Sequence, residues 1–231
     1  FLRQHHCSYE VCKGYGMTEL AATAVISTPK ANAIGSVGIP LVHNTVKIVD
    51  MDTNEELSYG KVGEILISSP SIMLGYYKNQ EATQEIITLD EAGKKWIRTG
   101  DLGYINKNGL LFHQGRIRRI YLTAVDGQPA KIFPNLVEEA IKSAAPVEDC
   151  TLVARCKQNS AYYEAVAYVI LKDEAMTMEQ VRCNDLLRRI CKDKVPTYMC
   201  PVEYRYVKEF PHTPIGKVDF RKLEEMAALG R

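Results

Sequence analysis

The stretch from Trp96 to Arg116 constrains the fold of this chain more than any other. Two apolar runs stand on either side of Asn108-Gly109. An Asn-Gly pair between such runs is a strong signal for the turn of a β-hairpin. The hairpin would carry Arg116 back toward Asp101, which follows a Thr-Gly pair in the first run. The pattern therefore predicts two paired strands with an acidic and a basic side chain close together.

Asp101 is the residue of this hairpin that most needs a partner. A carboxylate in an apolar strand is costly to bury unless it is paired or hydrogen-bonded. A structural ion pair with Arg116 would satisfy it. An acidic residue at the end of a strand is also a suitable acceptor for the vicinal hydroxyls of a ribose. These residues alone leave both interpretations open.

The overall composition is that of an ordinary globular protein. The chain has 231 residues, of which 46% are hydrophobic and 25% charged, enough for one large or two modest domains. A formal net charge of +1 argues against a dedicated nucleic-acid or membrane-surface binder. No apolar run is long enough to span a bilayer, and the first six residues lack the apolar region of a signal peptide. We therefore expect no nucleic-acid partner and no membrane span.

The cysteines and histidines show no metal-ligand spacing. Because no two cysteines form a C-x-x-C pair, a disulfide framework or zinc site is not expected, and a reducing cytoplasm is the default location. The cysteines are Cys7, Cys12, Cys150, Cys156, Cys183, Cys191 and Cys200, and the histidines are His5, His6, His43, His113 and His212.

A second informative stretch is Gly14-Tyr15-Gly16-Met17-Thr18-Glu19. Its two glycines permit a close approach of the backbone to another group. An aromatic ring, a hydroxyl and a carboxylate within five residues suit a nucleotide, through stacking, phosphate contact and metal binding. The alternative is a strand–turn–helix junction capped by Thr18, with a short alanine-rich helix to Val25. Taken alone, these residues favour the junction.

The first half of the chain has the pattern of β-structure. Short apolar runs alternate with polar turns, which indicates a small β-sheet or a partial barrel, with one helical turn near 81–86. The predicted strands are Thr45–Val49, Gly63–Ser69, Trp96–Arg98, Gly103–Asn106 and Leu110–Phe112.

After Gly115 the pattern changes to mixed helices and strands. A helix is predicted to start at Pro134, because apolar residues then recur at helical spacing. The sequence as a whole predicts an α/β (α+β) chain, with a β-rich subdomain over 1–116 and a compact α+β domain over 117–231. The other predicted elements of that domain are strands over 116–122, 149–155, 162–171 and 202–207, a polar turn over 126–129, and helices over 178–193 and 220–229.

Lys217 follows a stiff loop close to the last helix. Pro211 and Pro214 restrict this loop, and Gly216 frees the backbone just before the lysine. Lys217 would be held there as a point charge suited to an anion. For an isolated lysine, a solvated side chain in front of a helix is the better interpretation.

In order and approximate spacing, these stretches together resemble the adenylate-forming superfamily, which includes acyl-CoA synthetases, luciferase-like enzymes and the adenylation domains of peptide synthetases. The resemblance covers essentially the whole chain. The residues of its motifs look more like those of acyl-CoA synthetases than those of peptide-synthetase domains. The matching motifs are Gly14–Glu19, Gly63–Ile67 with Gly75-Tyr76, Arg98–Leu102, Gly115-Arg116 and Gly216–Asp219.

The resemblance implies a role for each matching residue. Asp101 would bind the ribose hydroxyls of ATP or AMP, with help from Arg116. Thr18 would contact phosphate, Glu19 would hold Mg²⁺, and Lys217 would bridge the substrate carboxylate and the α-phosphate, which makes these three the catalytic residues. The turn that binds the adenine would consist of Gly14, Tyr15 and Gly16, and the hinge residue would be Arg118.

The implied reaction explains these residue types. A carboxylate attacks the α-phosphorus of ATP and pyrophosphate leaves, so the developing negative charge calls for Mg²⁺ and a fixed cation. A thiol then attacks the acyl-adenylate after a mobile C-terminal lid domain has turned about the hinge.

Three departures from the family pattern shape these expectations. The phosphate loop rich in Ser, Thr and Gly is absent, as is most of the large N-terminal domain. We therefore expect this chain to be the C-terminal part of a longer protein and unable to adenylate by itself. The hinge position holds Arg118, where the family usually has Asp or Lys. The loop Leu122–Lys131 is longer than usual, which leaves either CoA or the phosphopantetheine of a carrier protein as the thiol acceptor.

Three functions follow from the resemblance. We expect a cytoplasmic ligase that activates a carboxylic acid with ATP and passes it to CoA. The alternatives are an adenylation domain that loads a carrier protein and a non-catalytic homologue that binds a nucleotide or a partner. Retention of all the matching site residues favours catalysis. The sequence does not identify the acid, whose pocket would lie mostly in the absent N-terminal part.

Overall fold

The computed structural model describes residues 11–157, 160–175 and 180–229. Its contacts divide the chain into two compact units, Phe1–Arg118 and Arg119–Arg231. That these units are the end of a large domain and a lid domain stays a prediction. His5, His6 and Cys7 lie outside the described residues. Within the described ranges, no helix is long and apolar enough to cross a membrane.

The first unit is built mainly of short strands. They are β1 (Gly14–Met17), β2 (Ala22–Ile26), β3 (Ile39–Pro40), β4 (Thr45–Val49), β5 (Gly63–Ser68), β6 (Ile87–Leu89), β7 (Lys95–Ile105) and β8 (Leu111–Arg116), with one helix, α1 (Gln80–Ile86). One sheet has the order β1-β2-β3; the other has the order β4-β5-β7-β6, with β8 also paired to β7. A backbone bridge between Gly38 and Leu111 joins the two sheets. Val25, Ile65 and Ile97 pack in the shared core.

The central strand of this unit is longer than the sequence predicts. The prediction of two separate strands around Trp96 and Tyr104 is wrong, because the single strand β7 runs through both regions without a break. Gly100 has a φ of +68°, a left-handed conformation that glycine adopts without strain, so the strand bends there and continues. After the bend, β7 pairs with β8 through the predicted turn, and Asp101 lies directly opposite Arg116.

The predicted alanine-rich helix after Thr18 is also wrong. A single 3₁₀ turn, Thr18–Leu20, leads directly into β2. Ala21 has a φ of +56° and ends the turn in the left-handed region, where a helix cannot continue. Alanine favours helices only weakly, and pairing with β1 on one side and β3 on the other outweighs that preference.

The second unit is a mixed α and β structure. Its elements are β9 (Tyr121–Val125), β10 (Gln128–Ile132), α2 (Pro134–Lys142), β11 (Val147–Cys156), β12 (Tyr163–Leu171), α3 (Gln180–Lys194), β13 (Glu203–Tyr206) and α4 (Phe220–Ala228). The predicted basic strand over 116–122 is largely wrong, since a 3₁₀ turn occupies Ile117–Arg119. The predicted polar turn is confined to Asp126-Gly127, and the residues after it form β10. The remaining helices and strands lie close to their predicted positions, and the predicted α/β (α+β) class is confirmed.

Strand alternation sets the core of the second unit. Alternate residues of β12 face two different apolar clusters, as expected for a sheet that is covered on both sides. Ala165 and Val169 pack with α2 and α3, whereas Val166 and Tyr168 pack with Leu223 of α4. The three-stranded sheet β11-β12-β13 therefore lies between two layers of helix.

Arg205 on β13 fixes the end of α4. Its guanidinium donates to the carbonyl oxygen of Met226 at 2.7 Å and to the hydroxyl of Tyr168 at 3.1 Å. It also pairs with Glu203 at 2.6 Å, and this hydrogen bond raises the pKa of the arginine. Carbonyl groups in the last turn of a helix have no partner within the helix, so Arg205 satisfies an acceptor that would otherwise be left open.

Replacing Arg205 with alanine is expected to destabilise the second unit by about 3 kcal/mol, because it leaves buried acceptors without a donor. Faster hydrogen exchange of the α4 amides would report the loss. Arg188→Ala is the matched control, since that side chain is 51% exposed and lies 3.8 Å from Asp185. Equal exchange rates of the α4 amides in the two variants would contradict the conclusion that Arg205 fixes the end of this helix.

Candidate functional site

Asp101 and Tyr15 form the centre of the candidate site in the first unit. The hydroxyl of Tyr15 on β1 donates to Oδ2 of Asp101 at 2.8 Å. Asp101 is only 6% exposed. Burial, and next the negative charge of Asp101, raise the pKa of Tyr15 well above its usual range, so this phenol stays protonated. The two residues are far apart in the sequence, and the meeting of the two sheets brings them together.

The second carboxylate oxygen of Asp101 is the open acceptor of the site. Arg116 Nε lies 3.2 Å from Oδ1, close enough for an ion pair. Oδ1 is nevertheless buried and receives no hydrogen bond from any described residue, because the Arg116 N–H is not directed at it. A buried carboxylate oxygen that lacks a donor is costly. A hydroxyl group from a ligand would satisfy it.

The bend in β7 holds Asp101 in this orientation. The backbone N–H of Asp101 donates to Thr99 Oγ1 at 3.1 Å, and the Thr99 hydroxyl donates to the carbonyl oxygen of Ile65 at 2.8 Å. The N–H of Gly100 donates to the buried carboxylate of Glu64 at 3.2 Å. Glu64 is in turn paired with Arg98. Thr99 and Glu64, which no sequence pattern marks as site residues, contribute by fixing the backbone.

His113 also belongs to this site, although the sequence analysis gave it no role. Its Nε2 lies 3.7 Å from Asp101 Oδ1. Its ring centre is 5.7 Å from that of Tyr15, with the ring planes at 40°. His113 pairs with Gly103, which lies two residues after Asp101 and therefore on the same face of β7.

The Gly14–Met17 strand turns sharply to present Thr18 and Glu19. A side chain at Gly16 is excluded, because a Cβ there would lie 1.8 Å from the carbonyl oxygen of Ala22. This close contact between β1 and β2 places Thr18 at an exposed position at the start of the 3₁₀ turn, with Glu19 next to it. A Cβ at Gly14 would meet the flexible side chain of Thr23, at 3.3 Å, and not backbone.

Glu19 has a hydrogen-bonding partner that the sequence analysis did not predict. The hydroxyl of Tyr76 donates to Glu19 Oε1 at 2.5 Å, and this bond raises the pKa of Tyr76. The backbone N–H of Met73 donates to the carbonyl oxygen of Glu19 at 2.9 Å. No three acidic, histidine or cysteine side chains in the described part of the chain come together as a metal site. Glu19 would thus supply a single protein ligand, which fits Mg²⁺ because that ion commonly takes one or two carboxylates together with phosphate oxygens and water.

Lys217 lies in the second unit, on a tight and exposed turn. The N–H of Thr213 donates to the carbonyl oxygen of Lys217 at 2.7 Å, and the N–H of Lys217 donates to Thr213 Oγ1 at 3.2 Å. Gly216 has a φ of +77°, as this turn requires. Asp219 caps α4 by accepting from the N–H of Lys222 at 3.1 Å. The lysine is therefore presented to solvent by a well-braced loop.

The predicted site residues thus fall into three places. Tyr15, Asp101 and Arg116 are in contact, and Thr18 and Glu19 follow directly on the β1–β2 hairpin. Lys217 belongs to the second unit. Arg118, the predicted hinge, is exposed and is the last residue of the first unit.

Comparison with known proteins gives a consistent answer. The family model described as AMP-binding enzyme matches residues 1–77, and the model of the AMP-binding enzyme C-terminal domain matches residues 136–217. A sulfoacetate–CoA ligase of Cupriavidus necator is 33% identical over 95% of this chain. A long-chain-fatty-acid–CoA ligase of Salmonella typhimurium is 30% identical over 93% of it. The chain spans only 42% and 36% of the lengths of these two relatives.

A solved structure agrees with this result at the level of the fold. The ATP-bound RpMatB-BxBclM chimera B1 matches with a TM-score of 0.82 and 23% identity, covering 95% of this chain and 41% of the chimera. Two family models that together match more than half of the chain, relatives that are CoA ligases and a matching fold all agree. The chain belongs to the AMP-binding enzymes of the adenylate-forming superfamily.

Proposed function

We propose that the whole protein to which these residues belong is an ATP-dependent acid–thiol ligase, which makes an acyl-adenylate and transfers the acyl group to CoA. The observation that carries this proposal is the open oxygen of Asp101. It is buried, receives no hydrogen bond from the residues that the structure describes, and lies beside Tyr15 and Arg116. Both compared relatives are CoA ligases, which supports the acid–thiol reaction and CoA as the acceptor.

The residues of the first unit act on the nucleotide. Asp101 Oδ1 accepts a hydrogen bond from a ribose hydroxyl, and Arg116 offsets the charge of the carboxylate. The hydroxyl of Tyr15 keeps Asp101 in place while the ring of Tyr15 lies against the adenine. Gly14 and Gly16 allow the backbone of this strand to come close to the base.

Thr18 and Glu19 act on the phosphates. The exposed hydroxyl of Thr18 donates to a phosphate oxygen, and Glu19 would hold Mg²⁺ with its carboxylate. When bound, the ion would supply positive charge against the negative charge that develops as pyrophosphate leaves. Tyr76 orients the carboxylate of Glu19 by its hydrogen bond.

Lys217 supplies the fixed cation of the adenylation step. An ammonium group on a braced turn is pre-organised, so it stabilises the negative charge of the transition state without reorganising at that moment. Arg118 is the residue about which the second unit turns between adenylation and thiol attack. Its long charged side chain is exposed and free to change its polar contacts during such a turn.

The substrate is a carboxylic acid, and the cell compartment is the cytoplasm. The described cysteines are free thiols, which is typical of a reducing compartment. Three of them, Cys150, Cys183 and Cys191, are buried among apolar side chains of the second unit and act as small core residues.

Replacing Asp101 with asparagine is expected to weaken AMP binding by about 10- to 100-fold, the value of a hydrogen bond to a charged acceptor. Calorimetric or NMR titration of the 231-residue chain with AMP measures the change. Asp52→Asn is the matched control, because Asp52 lies on an exposed loop and the substitution removes the same charge. AMP binding that is equal in both variants would refute the ribose assignment and, with it, the proposed function.

A further inference from the structure

A short segment of the first unit holds the turn that presents Glu19. The hydroxyl of Ser71 donates to the carbonyl oxygen of Leu20 at 2.8 Å, and the N–H of Met73 donates to the carbonyl oxygen of Glu19 at 2.9 Å. Leu20 is itself buried in the core of the unit, so the turn is fixed by packing as well. We call residues 71–76, which make these bonds to the turn, the clamp segment.

Tyr76, at the end of the clamp segment, holds the side chain of Glu19. Its hydroxyl donates to Oε1 of Glu19 at 2.5 Å. The backbone of Tyr76 is fixed on both sides, since its N–H donates to Thr83 Oγ1 at 2.9 Å and its carbonyl oxygen accepts from the N–H of Asn79 at 3.2 Å. Thr83 lies on α1, and Asn79 caps the start of that helix. Helix α1 therefore anchors the residue that holds the carboxylate.

The other carboxylate oxygen of Glu19 is in a different situation. Among the described residues, none donates a hydrogen bond to Oε2 or forms an ion pair with it. Glu19 is half-buried, and Oε2 remains accessible to solvent. The two oxygens of this carboxylate are thus not equivalent, because Oε1 already has a donor and Oε2 is open to a cation.

This difference between the two oxygens bears on which cation Glu19 can hold. Mg²⁺ requires near-ideal octahedral geometry, whereas Ca²⁺ accepts a carboxylate through one or both of its oxygens. The two oxygens of a single carboxylate lie too close together to fill two octahedral positions well. A donor on Oε1 leaves Oε2 as the one oxygen for a metal, and this arrangement suits Mg²⁺.

We propose that Tyr76 is a positioning residue of the metal site, which occupies Oε1 of Glu19 so that the ion is held through Oε2 alone and Mg²⁺ is selected over Ca²⁺. This inference rests on the proposed function, which assigns the ion to Glu19. Groups that hydrogen-bond to a metal-ligating carboxylate orient it, and their loss commonly lowers metal affinity by about 10- to 100-fold.

Calorimetric titration of the whole protein with ATP in the absence of acid, in either Mg²⁺ or Ca²⁺ buffer, tests this inference without turnover. Tyr76→Phe removes the hydroxyl and keeps the ring. We expect its affinity for ATP to fall about tenfold in Mg²⁺ but by no more than about twofold in Ca²⁺, because the freed Oε1 lets Glu19 bind Ca²⁺ with both oxygens. Its affinity for adenosine, which needs no metal, should stay within about twofold of the native value.

Tyr77→Phe is the matched control, because it removes the same hydroxyl from the neighbouring residue. Tyr77 is 87% exposed, and its hydroxyl has no hydrogen-bonding partner in the part of the chain that the structure describes. A double variant adds a second check. If Tyr76 acts through Glu19, Tyr76→Phe should not change the ATP affinity further once Glu19→Gln is present.

The possible failures are distinguishable. Equal ATP affinities of Tyr76→Phe and Tyr77→Phe in both metals would overturn this inference and leave the proposed function standing. An equal fall in Mg²⁺ and in Ca²⁺, or a parallel loss of adenosine binding, would also overturn it, because either result would give Tyr76 a purely structural role. An ATP affinity in Mg²⁺ that Glu19→Gln leaves unchanged would overturn both this inference and the proposed role of Glu19.

Discussion

Replacing Lys217 with alanine is expected to lower the rate of acyl-adenylate formation by about 100-fold or more in the whole protein, because it removes a pre-organised charge from the transition state. Within the described part of the chain, the backbone of Lys217 is hydrogen-bonded only to Thr213, and these bonds do not depend on the lysine side chain. The turn should therefore survive the substitution. Pyrophosphate release from ATP in the presence of the acid measures the first step.

Lys208→Ala is the matched control for this experiment. Lys208 is an exposed lysine of the same unit and has no proposed role in the reaction. Adenosine binding by the first unit should be unchanged in both variants, since adenosine lacks the α-phosphate that Lys217 would contact and Lys217 belongs to the second unit. A rate of adenylate formation that is the same in Lys217→Ala as in Lys208→Ala would show that the lysine motif has been assigned the wrong role.

Replacing Gly16 with alanine is expected to destabilise the first unit by about 3 kcal/mol, because overpacking against backbone cannot be relieved by a side-chain rotation. The new Cβ would lie 1.8 Å from the carbonyl oxygen of Ala22, so the β1–β2 hairpin has to move apart. Tyr15 and Glu19 lie on that hairpin and would move with it. We therefore also expect nucleotide binding to be lost.

The single tryptophan of the chain makes this loss of stability measurable. Trp96 is buried in the first unit, so its fluorescence reports the unfolding of that unit alone. Gly60→Ala is the control, because Gly60 has a φ of +83° and nothing lies within 4 Å of its Cβ position. Gly60→Ala should lower the free energy of unfolding by about 1 kcal/mol, because alanine is strained at a positive φ. Denaturant midpoints that coincide for the two variants would contradict the steric argument.

The hairpin that carries Asp101 and Arg116 was predictable because local signals determine it. Asn108-Gly109 sets the turn and brings the two strands together, whereas the exact pairing of Asp101 with Arg116 also depends on the extra residue Gln114 in β8. The open state of Asp101 Oδ1 was not predictable, because it depends on the distant hydroxyl of Tyr15 and on the direction of one guanidinium N–H. The sequence indicated that the carboxylate needs a partner but not which of its oxygens is left without one.

Residues 18–25 and His113 show why the remaining features could not be predicted. Alanine-rich composition favours a helix, but the energy of pairing β2 with two neighbouring strands comes from residues far along the chain. His113 lies opposite Gly103, and the extra residue Gln114 then brings Arg116, instead of Gly115, opposite Asp101. Sequence alternation alone does not reveal such an extra residue. A glycine just before Arg116 was the one local signal for the bulge.

The most direct test of the proposed function is pyrophosphate release from ATP by the whole protein over a panel of carboxylic acids, followed by addition of CoA. The panel should contain short charged, long aliphatic and aromatic acids. We predict release with one class of acid, and thioester formation only when CoA is added. Binding of ATP without pyrophosphate release for any acid would contradict the account and identify a nucleotide-binding homologue that has no ligase activity.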